Sequence, residues 1–478
     1  MPNCHHQPFL LCLWVGIATL WPSASLQAED APVAKVKIQV DTKTVVSRIS
    51  PNFIGFGYET SAVAQSNYFS PKNAALIRLY RNLSPHGLIR IGGNISDHTQ
   101  YVPEGIPAVH TEKEVTIFNQ TNLADLAGFA HATGWKVMWG LNLGTGSKEA
   151  AGQEAVAVSA ALGDRLQSFE IGNEVDIHGG YDGKYRDYAG YYSNYLAYKA
   201  VIRSALPQAV FSGPDVAWNL AWLTNFANAE AGDIKLLTHH YYRTGAMKPE
   251  ATIKNLLMSD DAWAGKLQKL QQVCRDQNTS FRINEVNSFY GGGKAGVSDT
   301  FASALWSLDY MFQLATYGCN GINLETDINQ LGWISHYSPI VHDAAGHCLA
   351  RAEYYGMLAF ALAGKGDLLK LNLDKDDINL SAYATKDEQG FLWIMAVNKD
   401  LSRDAELDAA VPDGYATAEA FRLTAPSVAS KDQVTFAGTA VSADGQWSPS
   451  PPEQVMPTNS TARLRVPHVS AVLLRLRP

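Results

Sequence analysis

The sequence is poor in cysteine and has no excess of basic residues. Five cysteines occur in 478 residues, and Cys4 and Cys12 lie close to the N-terminus, so a disulfide-stapled fold is excluded. The spacing of Cys274, Cys319 and Cys348 matches no zinc-binding pattern. Lys and Arg total 38 against 46 Asp and Glu, a net charge of −8, which argues against a nucleic-acid-binding protein. We therefore expect no metal centre and no nucleic-acid partner.

Long apolar runs are missing everywhere except at the N-terminus. Residues 1–28 contain no Asp, Glu, Lys or Arg, and an apolar run over residues 9–21 breaks at Pro22 into small residues. This pattern is typical of a secretory signal peptide and is too short for a stable bilayer span. We expect residues 1–28 to be a signal peptide, the mature protein to be secreted or periplasmic, and no permanent membrane anchor to be present.

Between residues 51 and 364, short apolar runs alternate with longer segments in which apolar residues recur every three or four positions. Such alternation is typical of parallel βα units. The sequence predicts eight strands in this region, and eight units over roughly 300 residues predict a catalytic (β/α)8 TIM barrel. The predicted strands are residues 53–59, 87–94, 136–143, 166–175, 209–215, 235–242, 280–288 and 321–327.

After residue 364 the pattern changes to short alternating runs separated by Asp, Gly and Pro, which predicts a C-terminal β-sandwich domain over residues 365–478. An N-terminal segment, residues 29–50, has the same alternation but precedes the barrel. We expect it to join the sandwich; the alternative is that it only covers the bottom of the barrel.

Polar side chains collect at the ends of the predicted barrel strands, where the active sites of such barrels lie. Glu174 and Glu285 each follow an Asn at the end of an apolar strand, in FEIGNEV and FRINEV. Strands four and seven would present these two carboxyl groups across the barrel mouth. Glycoside hydrolysis uses such a pair, one as proton donor and one kept ionised. The sequence therefore predicts a glycosidase.

Two other functions stay open at this point. A metal-dependent barrel hydrolase could use His239 and His240 with acidic strand ends, but strand one lacks a His-x-His pair. A non-catalytic carbohydrate-binding protein could also be built on a barrel. Its weakness is that two matched Asn-Glu strand ends serve no purpose in binding alone.

The motifs LIRIGGNISD (88–97), FEIGNEV (169–175), THHYY (238–242) and NEVNSFYGGG (284–293) with the following SDTFA together resemble family 79 of the glycoside hydrolases, in clan A. This family includes exo-acting β-glucuronidases and heparanases. The resemblance implies a retaining, exo-acting β-glycosidase similar to the β-glucuronidases, which hydrolyses a terminal β-linked sugar by double displacement through a covalent glycosyl-enzyme and without a cofactor. It also implies that Glu174 is the general acid/base and Glu285 the nucleophile.

The resemblance implies supporting roles for further residues. Asn173 would lie beside the sugar 2-hydroxyl, Arg90 would keep the nucleophile ionised, and Tyr241 would donate a hydrogen bond to it. His239 would support this group, and Glu59 and Asn94 would bind hydroxyl groups on the non-reducing side.

The glycine turn at Tyr290, Gly291 and Gly292 would hold a uronate carboxylate with backbone N–H groups. In one register, Trp333 stands where a tyrosine hydroxyl is expected to assist, which favours a neutral or 6-deoxy sugar as the alternative substrate. Tyr337 could supply the hydroxyl from another position. An endo-acting, heparanase-like enzyme is a further alternative, but it would need a basic cleft that the sequence does not indicate. The oligomeric state is left open.

Overall fold

The computed structural model describes residues 33–103, 106–108, 116–177, 184–327, 335–343 and 347–478. The predicted signal peptide, residues 1–28, lies outside this part of the chain. Within it, none of the helices is both long and apolar enough to cross a lipid bilayer.

The described elements alternate between strands and helices up to about residue 365 and are almost entirely strands thereafter. The strands are β1 (Ala34–Ile49), β2 (Gly55–Glu59), β3 (Leu88–Gly92), β4 (Thr99–Tyr101), β5 (Thr116–Phe118), β6 (Lys136–Leu141), β7 (Leu166–Ile171), β8 (Phe211–Val216), β9 (Ile234–Gly245), β10 (Phe281–Tyr290), β11 (Ile322–Glu325), β12 (Ile340–His342), β13 (Cys348–Ala350), β14 (Gly366–Lys375), β15 (Leu380–Lys386), β16 (Leu392–Asn398), β17 (Ala405–Ala410), β18 (Thr417–Thr424), β19 (Thr435–Phe436), β20 (Glu453–Val455), β21 (Thr461–Val466) and β22 (Ser470–Arg477). The helices are α1 (Ala74–Leu83), α2 (Gln120–Thr133), α3 (Lys148–Leu162), α4 (Tyr188–Ala205), α5 (Leu220–Ala229), α6 (Ile253–Leu257), α7 (Asp261–Asp276), α8 (Phe301–Thr316) and α9 (Ala352–Ala363).

Eight parallel strands close into a barrel, in the order β2, β3, β6, β7, β8, β9, β10 and β11, with β11 pairing back to β2. Each of the eight strands predicted from the sequence overlaps one of them. The predicted TIM barrel is therefore confirmed. The site predicted at the carboxyl ends of these strands lies at one mouth of the barrel.

The barrel strands alternate between an apolar outer face and an inner face that becomes polar toward the mouth. Ile89 and Trp139 point outward into the main core beneath the helices, whereas Leu88, Met138 and Leu236 form a small separate cluster inside. The next inward position after Leu88 is Arg90, which is 1% exposed. On β3 the interior thus changes from an apolar side chain to a buried charge over one step of two residues.

The remaining large sheet has ten strands, in the order β19, β18, β22, β16, β15, β14, β1, β17 and β21, with β20 beside β18. β1 lies between β14, its antiparallel partner, and β17, its parallel partner. The expectation that the N-terminal segment joins the C-terminal β domain is thereby confirmed. Near the C-terminus, Pro467 and the turn that follows it separate β21 from β22.

Strand β16 shows how this sheet is attached to the barrel. Leu392, Ile394 and Ala396 pack into the core of the C-terminal domain, and the alternate residues Trp393 and Met395 pack into the main core with the barrel helices. Because both faces of the strand are buried in apolar surroundings, the sheet domain forms a continuous apolar contact with the barrel.

Candidate active site

Glu174 and Glu285 come together at the carboxyl ends of the barrel strands. A carboxylate oxygen of each, with one ring nitrogen of His240, lies within 4.8 Å of the others. Glu174 follows β7 in a tight turn in which Gly172 has φ +86° and Glu174 itself has φ +44°. A side chain at Gly172 would press on Leu143 and Val175, so glycine allows this turn to pack closely.

A register shift in β10 brings two consecutive side chains into the barrel. The shift falls between Ile283 and Glu285 against β9. The amide nitrogen of Asn284 donates to Glu170 at 2.9 Å and also to Asp215, while the Glu285 carboxylate also lies inside. A regular strand would have turned one of these two side chains outward, and bulges of this kind commonly redirect side chains at active sites.

The Glu285 carboxylate is held by two donors and is only 9% exposed. Arg90 Nη1 donates to one oxygen at 2.7 Å, and the Tyr242 hydroxyl donates to the other at 2.9 Å. A cationic and a neutral donor on separate oxygens fix the orientation of the carboxyl group.

Arg90 is the centre of a buried charge network. Its guanidinium also contacts Asp215 at 2.7 Å and Glu170 at 3.4 Å, and it donates to the Asn173 amide oxygen at 2.6 Å. Burial alone would lower the pKa of Arg90, but the surrounding carboxylates raise it well above its ordinary value. Arg90 therefore carries a permanent positive charge beside Glu285, as the resemblance implied.

Strand β9 corrects two sequence predictions by one residue each. The side chain that donates to Glu285 belongs to Tyr242, whereas the Tyr241 hydroxyl donates to Asp260 at 2.9 Å, outside the barrel. Tyr241 stacks on Trp263 with ring centroids 4.4 Å apart. The assignment of Tyr241 as the partner of the nucleophile is wrong because successive strand residues face opposite sides, and Tyr241 is on the helix side.

The same alternation separates the two histidines. His239 also faces the helices, where it lies 5.3 Å from the Trp263 ring, and its Nδ1 atom contacts a backbone oxygen. Burial lowers its pKa to about 3, so it is neutral. The predicted supporting role of His239 is wrong, and His240 is the histidine that faces the carboxylates.

His240 bridges several acidic groups. Its Nε2 atom lies 2.8 Å from Asp215, and its Nδ1 atom lies 3.2 Å from Glu174 and 3.6 Å from Glu285. Burial lowers its pKa, but the negative charges of Glu285 and Asp215 outweigh this and raise it well above the ordinary value. A doubly protonated ring is the form that can donate on both sides.

Glu59, Asn94 and Asn173 line the opposite side of the mouth. The Glu59 carboxyl group accepts from the backbone N–H groups of Asn94 at 3.2 Å and Ile95 at 2.7 Å. Burial raises the pKa of Glu59 to about 8, so this group is largely protonated at neutral pH. The Asn173 amide nitrogen donates to the Asn94 side-chain oxygen at 3.0 Å. Because the Asn173 amide oxygen accepts from Arg90, this bond connects Asn94 to the Arg90 network.

The glycine turn continues β10 beyond Tyr290. Gly291 and Gly292 have φ of +84° and +81°. A Cβ atom on Gly291 would meet open space, whereas one on Gly293 would lie 2.8 Å from the backbone nitrogen of Tyr337. One side of the turn is therefore open and the other packs on the segment that carries Tyr337. Trp333 lies outside the described residues.

Tyr337 is 5% exposed and its ring lies beside that of Tyr242, with centroids 6.2 Å apart. Burial raises its pKa well above the ordinary value, and the negative charges of Asp327 and Glu325 add to this effect. Its hydroxyl is therefore a neutral donor close to the acidic groups of the mouth.

Among the described residues, Glu174, His240 and Glu285 are the set close enough together to hold a metal ion. The Arg90 guanidinium already neutralises Glu285, and His240 already contacts Asp215. A divalent cation would have to compete with these positive charges. The arrangement suits acid–base chemistry between two carboxyl groups better than metal coordination.

Comparison with known proteins identifies this arrangement. The model for the N-terminal domain of glycosyl hydrolase family 79 matches residues 36–312, and the model for the C-terminal β domain of the same family matches residues 359–473. The chain belongs to glycosyl hydrolase family 79. It is a glycoside hydrolase, so the alternatives of a metal-dependent barrel hydrolase and a non-catalytic binding protein are set aside.

Named family 79 relatives resemble the chain along most of its length. It is 24% identical over 445 residues to a β-glucuronidase of Aspergillus niger, covering 82% of this chain and 80% of the relative. It is also 24% identical over 382 residues to mouse heparanase, covering 65% and 68%.

Solved structures share the fold at low identity. A 4-O-α-L-rhamnosyl-β-D-glucuronidase from Fusarium oxysporum has a TM-score of 0.76 at 17% identity, covering 93% of this chain and 99% of that one. An α-L-arabinofuranosidase from Thermotoga maritima has a TM-score of 0.69 at 15% identity, covering 92% and 99%.

Sequence reasoning missed Glu170, Asp215, His240 and Tyr242. Glu170 has a signal, since it follows Ser168 at the next alternate position of β7, whereas His240 and Tyr242 stand in a β9 segment in which every residue is polar. Asp215 has φ +66° after a cis proline, an irregularity that the sequence pattern does not reveal.

Proposed function

We propose that the protein is a retaining, exo-acting β-glucuronidase that uses Glu285 as nucleophile and Glu174 as general acid/base. The observation that carries the proposal is the separation of the two carboxyl groups, whose oxygens lie within 4.8 Å. Retaining glycosidases hold them about 5 to 5.5 Å apart, whereas inverting enzymes leave about 6.5 to 9.5 Å for a water molecule.

The surroundings of the two groups support the division of roles. Glu285 accepts from Arg90 and Tyr242, which orient its carboxyl group and place a positive charge beside it, as suits a nucleophile. The Glu174 side chain is 15% exposed, so it can exchange protons with water. His240 lies between them and orients Glu174 through its Nδ1 atom.

The reaction follows from these positions. Glu285 attacks the anomeric carbon while the bond to the leaving oxygen breaks, and Glu174 gives its proton to that oxygen. Water then attacks the same carbon from the face that the leaving group vacated, and Glu174 takes its proton. The bond between Glu285 and the sugar breaks, which restores both carboxyl groups and retains the β configuration.

Preference for a uronic acid is supported by the glycine turn and Tyr337. The turn allows a carboxylate to approach the backbone closely, and the buried Tyr337 hydroxyl is a neutral donor nearby. The Aspergillus niger relative is a β-glucuronidase and the Fusarium structure a rhamnosyl-β-D-glucuronidase. By this analogy the sugar bound beside Glu285 is a β-linked glucuronate.

A neutral or 6-deoxy sugar is the competing substrate. Glu59 and Glu325 place carboxyl groups at the mouth whose pKa values are raised by burial, and neutral carboxyl groups can exchange hydrogen bonds with sugar hydroxyls. Hydrolysis rates on aryl β-glucuronide, glucoside, 6-deoxyglucoside and xyloside compare the two directly. A faster rate on any neutral glycoside than on the glucuronide contradicts the uronate assignment.

Azide separates the roles of the two carboxyl groups. Glu285→Ala should abolish turnover of an aryl glycoside, and azide should yield the α-glycosyl azide. Glu174→Ala with azide should instead yield the β-glycosyl azide, because azide enters after the covalent intermediate has formed. Glu154→Gln, a buried glutamate outside the mouth, is the control. Near-normal activity of Glu285→Ala would refute the assignment.

We also propose that residues 1–28 direct export to a secreted or periplasmic location. The support is the uncharged, apolar composition of this segment. Determination of the N-terminal residue of the mature protein tests it: a mature chain that still begins at Met1 contradicts the proposal.

A further inference from the structure

Aromatic rings extend from the nucleophile to the rim of the barrel mouth. The Tyr242 ring, whose hydroxyl contacts Glu285, lies 6.3 Å from the Tyr290 ring, and Tyr290 lies 6.5 Å from Trp218. Exposure rises along this series from 7% at Tyr242 to 43% at Tyr290 and 46% at Trp218. We call Tyr290 and Trp218 the rim pair; their rings meet edge to face at 81°.

The backbone of Trp218 is firmly held although its ring is exposed. The Asp176 carboxylate accepts from the N–H groups of Ala217 at 2.7 Å, Trp218 at 2.9 Å and Asn219 at 2.7 Å. Asn219 then caps α5 by accepting from the backbone of Ala221. An indole held in this way loses little conformational freedom when a ligand packs on it.

Asp176 also links Trp218 to the acid/base side of the mouth, because it stands two residues after Glu174 in the turn that follows β7. The proton from Glu174 goes to the leaving oxygen. The leaving group therefore departs past this turn, and Trp218 lies beside its path.

The rim pair combines exposed aromatic surface with a neighbouring lysine. Lys266 lies with its ammonium 5.7 Å from the centre of the Trp218 ring, as a cation–π contact. A large apolar ring left exposed at an enzyme mouth marks a ligand-binding surface. A flat apolar ring matches two exposed aromatic faces better than a sulfated sugar does.

We propose that Trp218 and Tyr290 form the leaving-group subsite and that it selects glycosides with a planar aromatic aglycone. This inference rests on the proposed function, since it assigns the leaving-group side from Glu174. Trp218 is then the specificity-determining residue, and Asp176 is the positioning residue that holds its backbone.

The test compares an aryl β-glycoside with the β-glycosyl fluoride of the same sugar. Fluoride is a leaving group that reaches no part of the rim pair, so the ratio of kcat/KM values on the two substrates isolates the aglycone contact. Trp218→Ala should lower this ratio about five- to tenfold, the loss expected for one aromatic contact. Trp218→Phe should keep most of it.

Trp222→Ala is the matched control, because Trp222 stands on α5 in the same segment but packs on Tyr188 and Tyr191. It should leave the ratio at the wild-type value. An equal loss in Trp222→Ala, or an unchanged ratio in Trp218→Ala, overturns the inference.

A disaccharide with a sugar aglycone provides the remaining comparison. If Trp218→Ala lowers kcat/KM on this disaccharide more than on the aryl glycoside, the subsite selects sugars and the proposal is wrong. If the wild-type enzyme hydrolyses none of these β-glycosides, the proposed function fails first, and this outcome is distinct from a failure at Trp218.

Discussion

Adjacent tyrosines on β9 provide an internal test of how the active site is built. Tyr242 faces the barrel interior and donates to Glu285 at 2.9 Å, and Tyr241 faces the helices and donates to Asp260 at 2.9 Å. Both bonds join a phenol to a carboxylate, and both phenylalanine variants delete one oxygen atom. The two variants therefore differ only in which side of the strand loses a hydrogen bond.

Tyr242→Phe should lower kcat/KM about 10- to 150-fold. A hydrogen bond to a charged group contributes about 1.5 to 3 kcal/mol, and about 1.4 kcal/mol corresponds to tenfold in rate. The assay is release of nitrophenol from an aryl β-glucuronide between pH 3 and pH 8.

Tyr241→Phe should leave kcat/KM within about twofold and lower the free energy of unfolding by about 1 to 2 kcal/mol, measured by urea denaturation. Asp260 also accepts from the backbone of Trp263 at 2.9 Å and so keeps one partner. If Tyr241→Phe reduces kcat/KM as strongly as Tyr242→Phe does, the assignment of inward and outward faces in β9 is wrong.

Other residues yield further predictions. Arg90→Met removes the cation that contacts the buried Asp215 and Glu285 side chains and should cost about 3 to 5 kcal/mol in urea unfolding; a loss below about 1 kcal/mol contradicts the network. Gly93→Ala, at φ +73°, places a methyl group against the Glu59 carboxyl and should lower kcat/KM, whereas Gly232→Ala, at φ +80° in open space, should cost stability alone. Burial raises the pKa of Glu154 to about 8, whereas the same group in the unfolded chain releases its proton near pH 4.5. The free energy of unfolding therefore falls as the pH rises from about 4.5 to about 8. Glu154→Gln should therefore gain about 3 kcal/mol relative to wild type between pH 5 and pH 8, and a constant difference in unfolding free energy would refute this.

The sequence was sufficient for the barrel and for the two central glutamates, because both depend on rules that act at long range along the chain. Eight strands joined by helices form a closed parallel barrel with right-handed connections. The carboxyl ends of the strands therefore all lie at the same mouth of the barrel. Glu174 and Glu285 stand at two such ends, so their meeting at the mouth followed from the topology.

The face of each strand was harder to assign. In THHYY every side chain can form hydrogen bonds, so composition does not show whether His239 or His240 points inward. The register of β9 decides it, because Leu236 packs inside the barrel while Leu237 packs outside. Side chains alternate from there, which places His240 and Tyr242 inside.

The consecutive inward placement of Asn284 and Glu285 depends on a register shift, and that of Asn173 and Glu174 on a turn after the strand. Both are local departures from strand geometry, and each places an amide next to its glutamate at the mouth. The side-chain alternation of a regular strand predicts that one residue of each pair faces away from the site.

The buried charges of the network also determine the electrostatic field at Glu285. Asp215 contacts both cations, Arg90 at 2.7 Å and His240 at 2.8 Å, and although burial opposes ionisation these contacts hold its pKa well below the ordinary value. Glu170 has a single, longer contact with Arg90 at 3.4 Å, and burial with the neighbouring Asp215 charge raises its pKa to about 8. At neutral pH Glu170 is therefore largely protonated, and Arg90 faces two negative charges instead of three. Asp215 divides its negative charge between Arg90 and His240, so it neutralises only part of the Arg90 charge. The remaining positive charge of Arg90 acts on Glu285. The proton on Glu170 thus increases the positive field at the nucleophile, although Glu170 does not contact it.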